Sequence, residues 1–217
     1  MIDRNLFLAI LSMDSYNRGV ATDKKLGIKL TGSQIGNAQV IKITENVKTS
    51  FYAVAYDWNG ENIISYRGTD DPDPFNIESD VWQGWTIGAG FQGGQVADTI
   101  KFYLDVANQP DSSGSSAHYS SIFDIGVPQI TATGHSLGGG LAGFVATLTG
   151  GKAVGFDHMP FLAAALALRG HALRHYGDMI PIAVISAIVR RASVSCIAIH
   201  SIGPLHAFLS PLRKTLP

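Results

Sequence analysis

The stretch Gln129-Ile-Thr-Ala-Thr-Gly-His-Ser-Leu-Gly-Gly-Gly140 limits what this chain can fold into more than any other part of it. A short apolar and β-branched run stops at Gly134-His135-Ser136-Leu137-Gly138, and a helix-compatible run over residues 141–148 follows at once. The pattern predicts a strand, a sharp turn and a helix. Glycines two residues to either side of Ser136 suit such a turn, because strand and helix nearly touch there and side chains would collide. A serine so placed is pushed out at the carboxyl end of its strand with its hydroxyl exposed. Leu137 opens the helix, so its free backbone N–H and the positive end of the helix dipole both face any negative oxygen formed above Ser136. With 24 glycines in the chain, a Gly-x-Ser-x-Gly pentapeptide carries little weight alone. Its position between a strand and a helix makes Ser136 the candidate nucleophile and Leu137 a candidate oxyanion donor.

Such a unit needs a sheet to join. The 217 residues, 46% of them hydrophobic, suit a single domain spanning 1–217, since a domain of this size buries about 70% of its unfolded surface. The 16 basic and 17 acidic residues are spread along the chain with a net charge of −1, and form no basic stripe. That balance argues against nucleic acid as a partner. Cys196 is the single cysteine and lies in an apolar run, so it reads as a small buried hydrophobe and not as half of an internal disulfide. The first residues read as an amphipathic helix and not as a cleaved signal, and the uncharged apolar run at residues 179–189 falls short of the ~20 residues of a membrane-spanning helix. The expectation is a soluble protein, cytoplasmic or exported by a route without a cleaved signal.

Taken in order, residues 4–17 carry Leu6, Ile10, Met13 and Tyr16 at helical spacing, and residues 19–39 read as a Gly-rich surface loop. Residues 40–44, 51–56 and 62–66 read as strands, the last two joined through Asn59-Gly60, a strong hairpin signal, so the domain starts with an antiparallel portion. Thr69 follows the third of these strands and is a second candidate oxyanion donor, if its strand neighbours that of Ser136. Residues 70–92 carry Trp82, Trp85, Ile87 and Phe91 among glycines, equally suited to a cover over an apolar substrate and to a satellite core. A helix over 93–109, a strand over 152–156, a helix over 161–175 and a last strand over 194–199 complete the pattern. Strands alternating with helices predict an α/β fold, a mostly parallel sheet flanked by helices in three layers.

A serine hydroxyl needs a histidine base, and the base needs a carboxylate that fixes its tautomer. On such turns the chain order is serine, acid, histidine. The acids downstream of Ser136 are Asp157 and Asp178. Topology favours Asp157, which ends the strand after the nucleophile at the edge where Ser136 emerges. Among the downstream histidines, His158 is too near Asp157 in sequence to reach it easily across a site. His171 and His175 share one helix face but lack a nearby acidic third ligand, so no metal is expected. His200, just past the last strand, stands slightly ahead of His206 as the base. His135 is expected to point away from the site.

Thr133-Gly-His-Ser-Leu-Gly-Gly139 together with Ser65-Tyr-Arg-Gly-Thr-Asp70 resembles the class 3 lipase family of α/β-hydrolases over about residues 40–160. The resemblance implies an α/β-hydrolase-type sheet, Ser136 as nucleophile, Thr69 and Leu137 as oxyanion donors, and a tryptophan-bearing lid around Trp82. It also implies an acid in a Gly-Asp-x-Val-Pro-like element, which Gly177-Asp-Met-Ile-Pro181 resembles; this favours Asp178 where topology favours Asp157. The stretch between nucleophile and histidine is shorter here than the family's. The expected activity is hydrolysis of carboxylic esters with apolar acyl chains, as a lipase or esterase acting through an acyl-enzyme. Its triad is Ser136, Asp157 and His200, with Asp178 and His206 as alternates, and no cofactor or metal is needed. The partner is a lipid or small ester, met with at most transient contact with a lipid interface. The alternatives are a phospholipase A1 and a non-catalytic lipid- or partner-binding relic of a hydrolase.

Overall fold

The computed structural model describes residues 2–18, 32–68, 94–110, 114, 116–125, 129–161, 164, 165 and 168, and the backbone of 193–197. The first helix, α1 (Arg4–Asp14), is capped by the Asp3 carboxylate, which accepts from the N–H groups of Asn5 and Leu6, and it tightens into a 3-10 turn at Ser15–Asn17. There follow β1 (Gln34–Ile35), β2 (Ala38–Asn46), β3 (Phe51–Trp58), β4 (Glu61–Tyr66), α2 (Gly94–Ala107), β5 (Ile130–His135), α3 (Leu137–Thr149), β6 (Lys152–Phe156) and β7 (Ser193–Ile197). All seven strands join one sheet in sequence order.

The sheet is mixed, in place of the mostly parallel one expected. β1 to β4 pair antiparallel, and β4 to β7 pair parallel. The cause lies in the connections, because turns as short as those of the first half cannot return a strand in parallel. Between β3 and β4, Trp58 faces Glu61 across a two-residue turn in which Asn59 (φ 56°) and Gly60 (φ 82°) both take the left-handed backbone of a type I′ hairpin. β1, within the expected surface loop, is a two-residue strand on the sheet's edge, too short to leave a periodic signal.

Alternation along the strands divides the core in two. Phe51, Ala53, Ala55, Ile64, Tyr66, Ile130, Ala132 and Ala153 face α2 and α3. Tyr52, Val54, Tyr56, Ile63 and Phe156 face α1. Helices thus cover both faces of the sheet, and the fold is α/β. Every residue of α3 is buried, as expected of a helix apolar all round.

The apolar positions that recur at helical spacing in α1 are not its buried face. Leu6, Ile10 and Met13 are exposed, whereas Phe7, Leu8, Leu11, Ser12 and Asp14 are buried. Polar groups on the sheet explain the difference. The Ser12 and Thr133 hydroxyls lie 2.9 Å apart, and Ser65 donates to the Leu11 carbonyl at 3.0 Å. Asp14 is buried with Arg18, whose Nε donates to it at 2.5 Å, and it accepts the Tyr56 hydroxyl at 2.6 Å. Burial, with the nearby Asp14 charge, pushes the Tyr56 hydroxyl well above its ordinary pKa. Burial opposes the Arg18 charge, yet the hydrogen bond and charge of Asp14 outweigh it and raise Arg18. No described helix is long and apolar enough to cross a membrane.

Candidate active site

Ser136 stands between β5 and α3 with φ 55° and ψ −123°, a left-handed backbone in which a side chain costs of order 1–3 kcal/mol. The neighbouring chain holds it there. Its N–H donates to the Phe156 carbonyl at 2.9 Å, and its carbonyl accepts from Gly140 at 3.1 Å and Met159 at 3.0 Å. Its side chain makes no capping bond to the helix and is half-buried. Because the first intrahelical bond starts at Gly140, the N–H groups of Leu137, Gly138 and Gly139 have no partner within α3. They present positive charge beside the Ser136 hydroxyl.

The turn is this tight because two glycines permit it. A Cβ on Gly134 would lie 2.5 Å from the Gly138 carbonyl oxygen, and one on Gly138 would collide with the Tyr66 carbonyl oxygen at the end of β4. The elbow thus packs against β4, where Tyr66 pairs with Gly134. Arg67, just beyond, is buried and folds back over the Tyr52 ring, 4.7 Å from its centroid.

The parallel registers bring further strand ends to this edge. Phe156 pairs with His135, so Asp157 follows at the level of Ser136, and Phe156 also pairs with Ile197 of β7. Asp157 is exposed and has a positive φ of 49°. Thr69, Asp178, His200 and His206 lie outside the described residues, as do residues 70–92 with the expected lid. The His135 ring meets the Tyr16 hydroxyl, 3.1 Å from its Nδ1. His158 lies against Gly139 of α3 and Gly155 of β6, and its Nδ1 is 3.0 Å from the Met159 carbonyl.

Tyr16 is the residue that sequence reasoning misplaced, by assigning it to an apolar stripe. Its hydroxyl reaches both the His135 ring and, at 3.4 Å, the His135 carbonyl. No group of three or more potential metal ligands occurs among the described residues. Fold and site together define an α/β domain with a serine on a strained strand-to-helix turn, at the carboxyl edge of its parallel strands. Comparison of the chain with protein-family models, curated proteins and solved structures gives no match.

Proposed function

We propose that the chain is a serine hydrolase of the α/β-hydrolase type, cleaving carboxylic esters with apolar acyl groups through an acyl-enzyme. The observation that carries this reading is the Ser136 backbone, held at φ 55° on a turn with an open helix N-terminus beside it. Strain of this kind persists where the surroundings impose it, and it clusters at functional sites. Ser136 attacks the ester carbonyl, and the Leu137 N–H and Thr69 hold the oxyanion. The proton goes to His200, or to His206 as alternate, the histidines that follow the last strand. Asp157, or Asp178, orients that base. The tryptophans of residues 70–92 serve as an apolar cover, which favours acyl chains over charged substrates.

The test is hydrolysis of a chromogenic ester by the wild type and by Ser136→Ala. A fall of at least ~10³-fold is expected, the scale of triad losses. Equal rates in the two proteins would sink the reading. A wild type without activity would leave the chain a lipid- or partner-binding relic.

A further inference from the structure

The Tyr16 hydroxyl lies between the end of β5 and the segment just past β4. It lies 3.1 Å from His135 Nδ1 and 3.4 Å from the His135 carbonyl, at the end of β5. A Cβ on Gly68, just past the end of β4, would collide with the same hydroxyl and would lie 2.5 Å from the His135 carbonyl oxygen. The hydroxyl therefore fills the gap between the residue before the nucleophile and the segment that leads to Thr69.

The end of α1 that leads into Tyr16 is held by a chain of polar contacts. Ser15 donates to the Ser12 carbonyl at 2.7 Å, Ser12 meets Thr133 at 2.9 Å, and Ser65 donates to the Leu11 carbonyl at 3.0 Å. Thr133 in turn donates to the Val154 carbonyl at 2.9 Å. Ser12, Ser15, Ser65 and Thr133 are all buried, and a buried polar chain with its partners in place resists displacement. Through it the end of α1 is referenced to β4, β5 and β6 together.

We propose that Tyr16 is a positioning residue for ester cleavage, acting through His135 to set the spacing between the nucleophile turn and the end of β4. The proposal rests on the hydrolase reading. The oxyanion donors named there come from these two strand ends, Leu137 after β5 and Thr69 after β4. A transition state is sensitive to such spacing, and displacements below 1 Å change rates more than they change ground-state binding. Loss of the hydroxyl should therefore act on kcat and leave KM nearly untouched.

The test is Tyr16→Phe in the full chain, assayed with a chromogenic ester beside the wild type and Ser136→Ala, with thermal melting of each. A fall in kcat of about 10-fold, with KM within about twofold and an unchanged melting temperature, is expected. Tyr16→His, which keeps a polar ring, should recover part of the loss, whereas Tyr16→Leu should not. A Tyr16→Phe protein with wild-type kcat, or one whose kcat, KM and melting temperature fall together, overturns the positioning role and leaves the hydrolase reading standing. A wild type no faster than Ser136→Ala overturns both.

Discussion

The two ends of the parallel strands are built on opposite terms. At the amino end, polar side chains pair. Arg4 grips Glu61 with two bonds of 2.9 and 2.7 Å, Thr131 donates to the same carboxylate at 2.5 Å, and the Arg4 guanidinium lies 5.4 Å from the centre of the Trp58 ring. At the carboxyl end, side chains are missing where the backbone comes closest. Gly134 and Gly138 let β4, β5 and α3 touch, and Ser136 sits between them in a strained conformation. One end gains stability from polar side chains that pair with one another. The other gives up stability and leaves a hydroxyl and three helix N–H groups together.

The sharpest way to break that contrast is Ser136→Gly set against Ser136→Ala. Both remove the nucleophile, so both should lose at least ~10³-fold in ester hydrolysis. Only glycine relieves the backbone. Release of about 1–3 kcal/mol of strain, set against the ~0.5–1 kcal/mol entropic cost of glycine, predicts a Ser136→Gly protein about 1 kcal/mol more stable than Ser136→Ala in urea titration. Equal stabilities would show that the turn stores no strain.

Next in size is Gly138→Ala. In a helix the change alone favours alanine by ~1 kcal/mol, but its Cβ would meet the Tyr66 carbonyl, backbone that cannot swing aside. The collision should dominate, for a net loss of about 1–3 kcal/mol and a marked drop in hydrolysis as β4 and the elbow part. A more stable Gly138→Ala protein would mean that the close approach is looser than this geometry requires.

Much of this was written in the chain, and what was missed on α1 has a physical cause. The elbow was legible because glycine spacing and an apolar run surround Ser136. The β3–β4 hairpin was legible because Asn-Gly takes the backbone that a two-residue turn needs. The buried face of α1 was not. Apolar residues at helical spacing pointed to Leu6, Ile10 and Met13, while Ser12 and Asp14 are in fact buried against the sheet because Thr133 and Tyr56 offer them partners. Hydrophobic periodicity cannot register a buried stripe that is partly polar. Tyr16 was lost with it, and so was a contact that frames the site.

The smallest effect belongs to the amino end. Glu61 is partly buried, which alone would raise its pKa, but the hydrogen bonds from Arg4 and Thr131 and the Arg4 charge outweigh burial and lower it. A carboxylate with a lowered folded pKa stabilises the protein above its unfolded pKa of about 4.3, and that contribution is lost as the pH falls through the folded value. Arg4 is 45% exposed and Glu61 26%, so solvent screens the pair and its worth stays within about 1 kcal/mol. Glu61→Gln should cost that much or less at pH 7, with the gap to wild type closing as the pH falls through the lowered folded pKa, and ester hydrolysis should not change. A loss of hydrolysis in Glu61→Gln at full stability would mean that the two ends are coupled. The division between a stabilising edge and a reactive one would then fail.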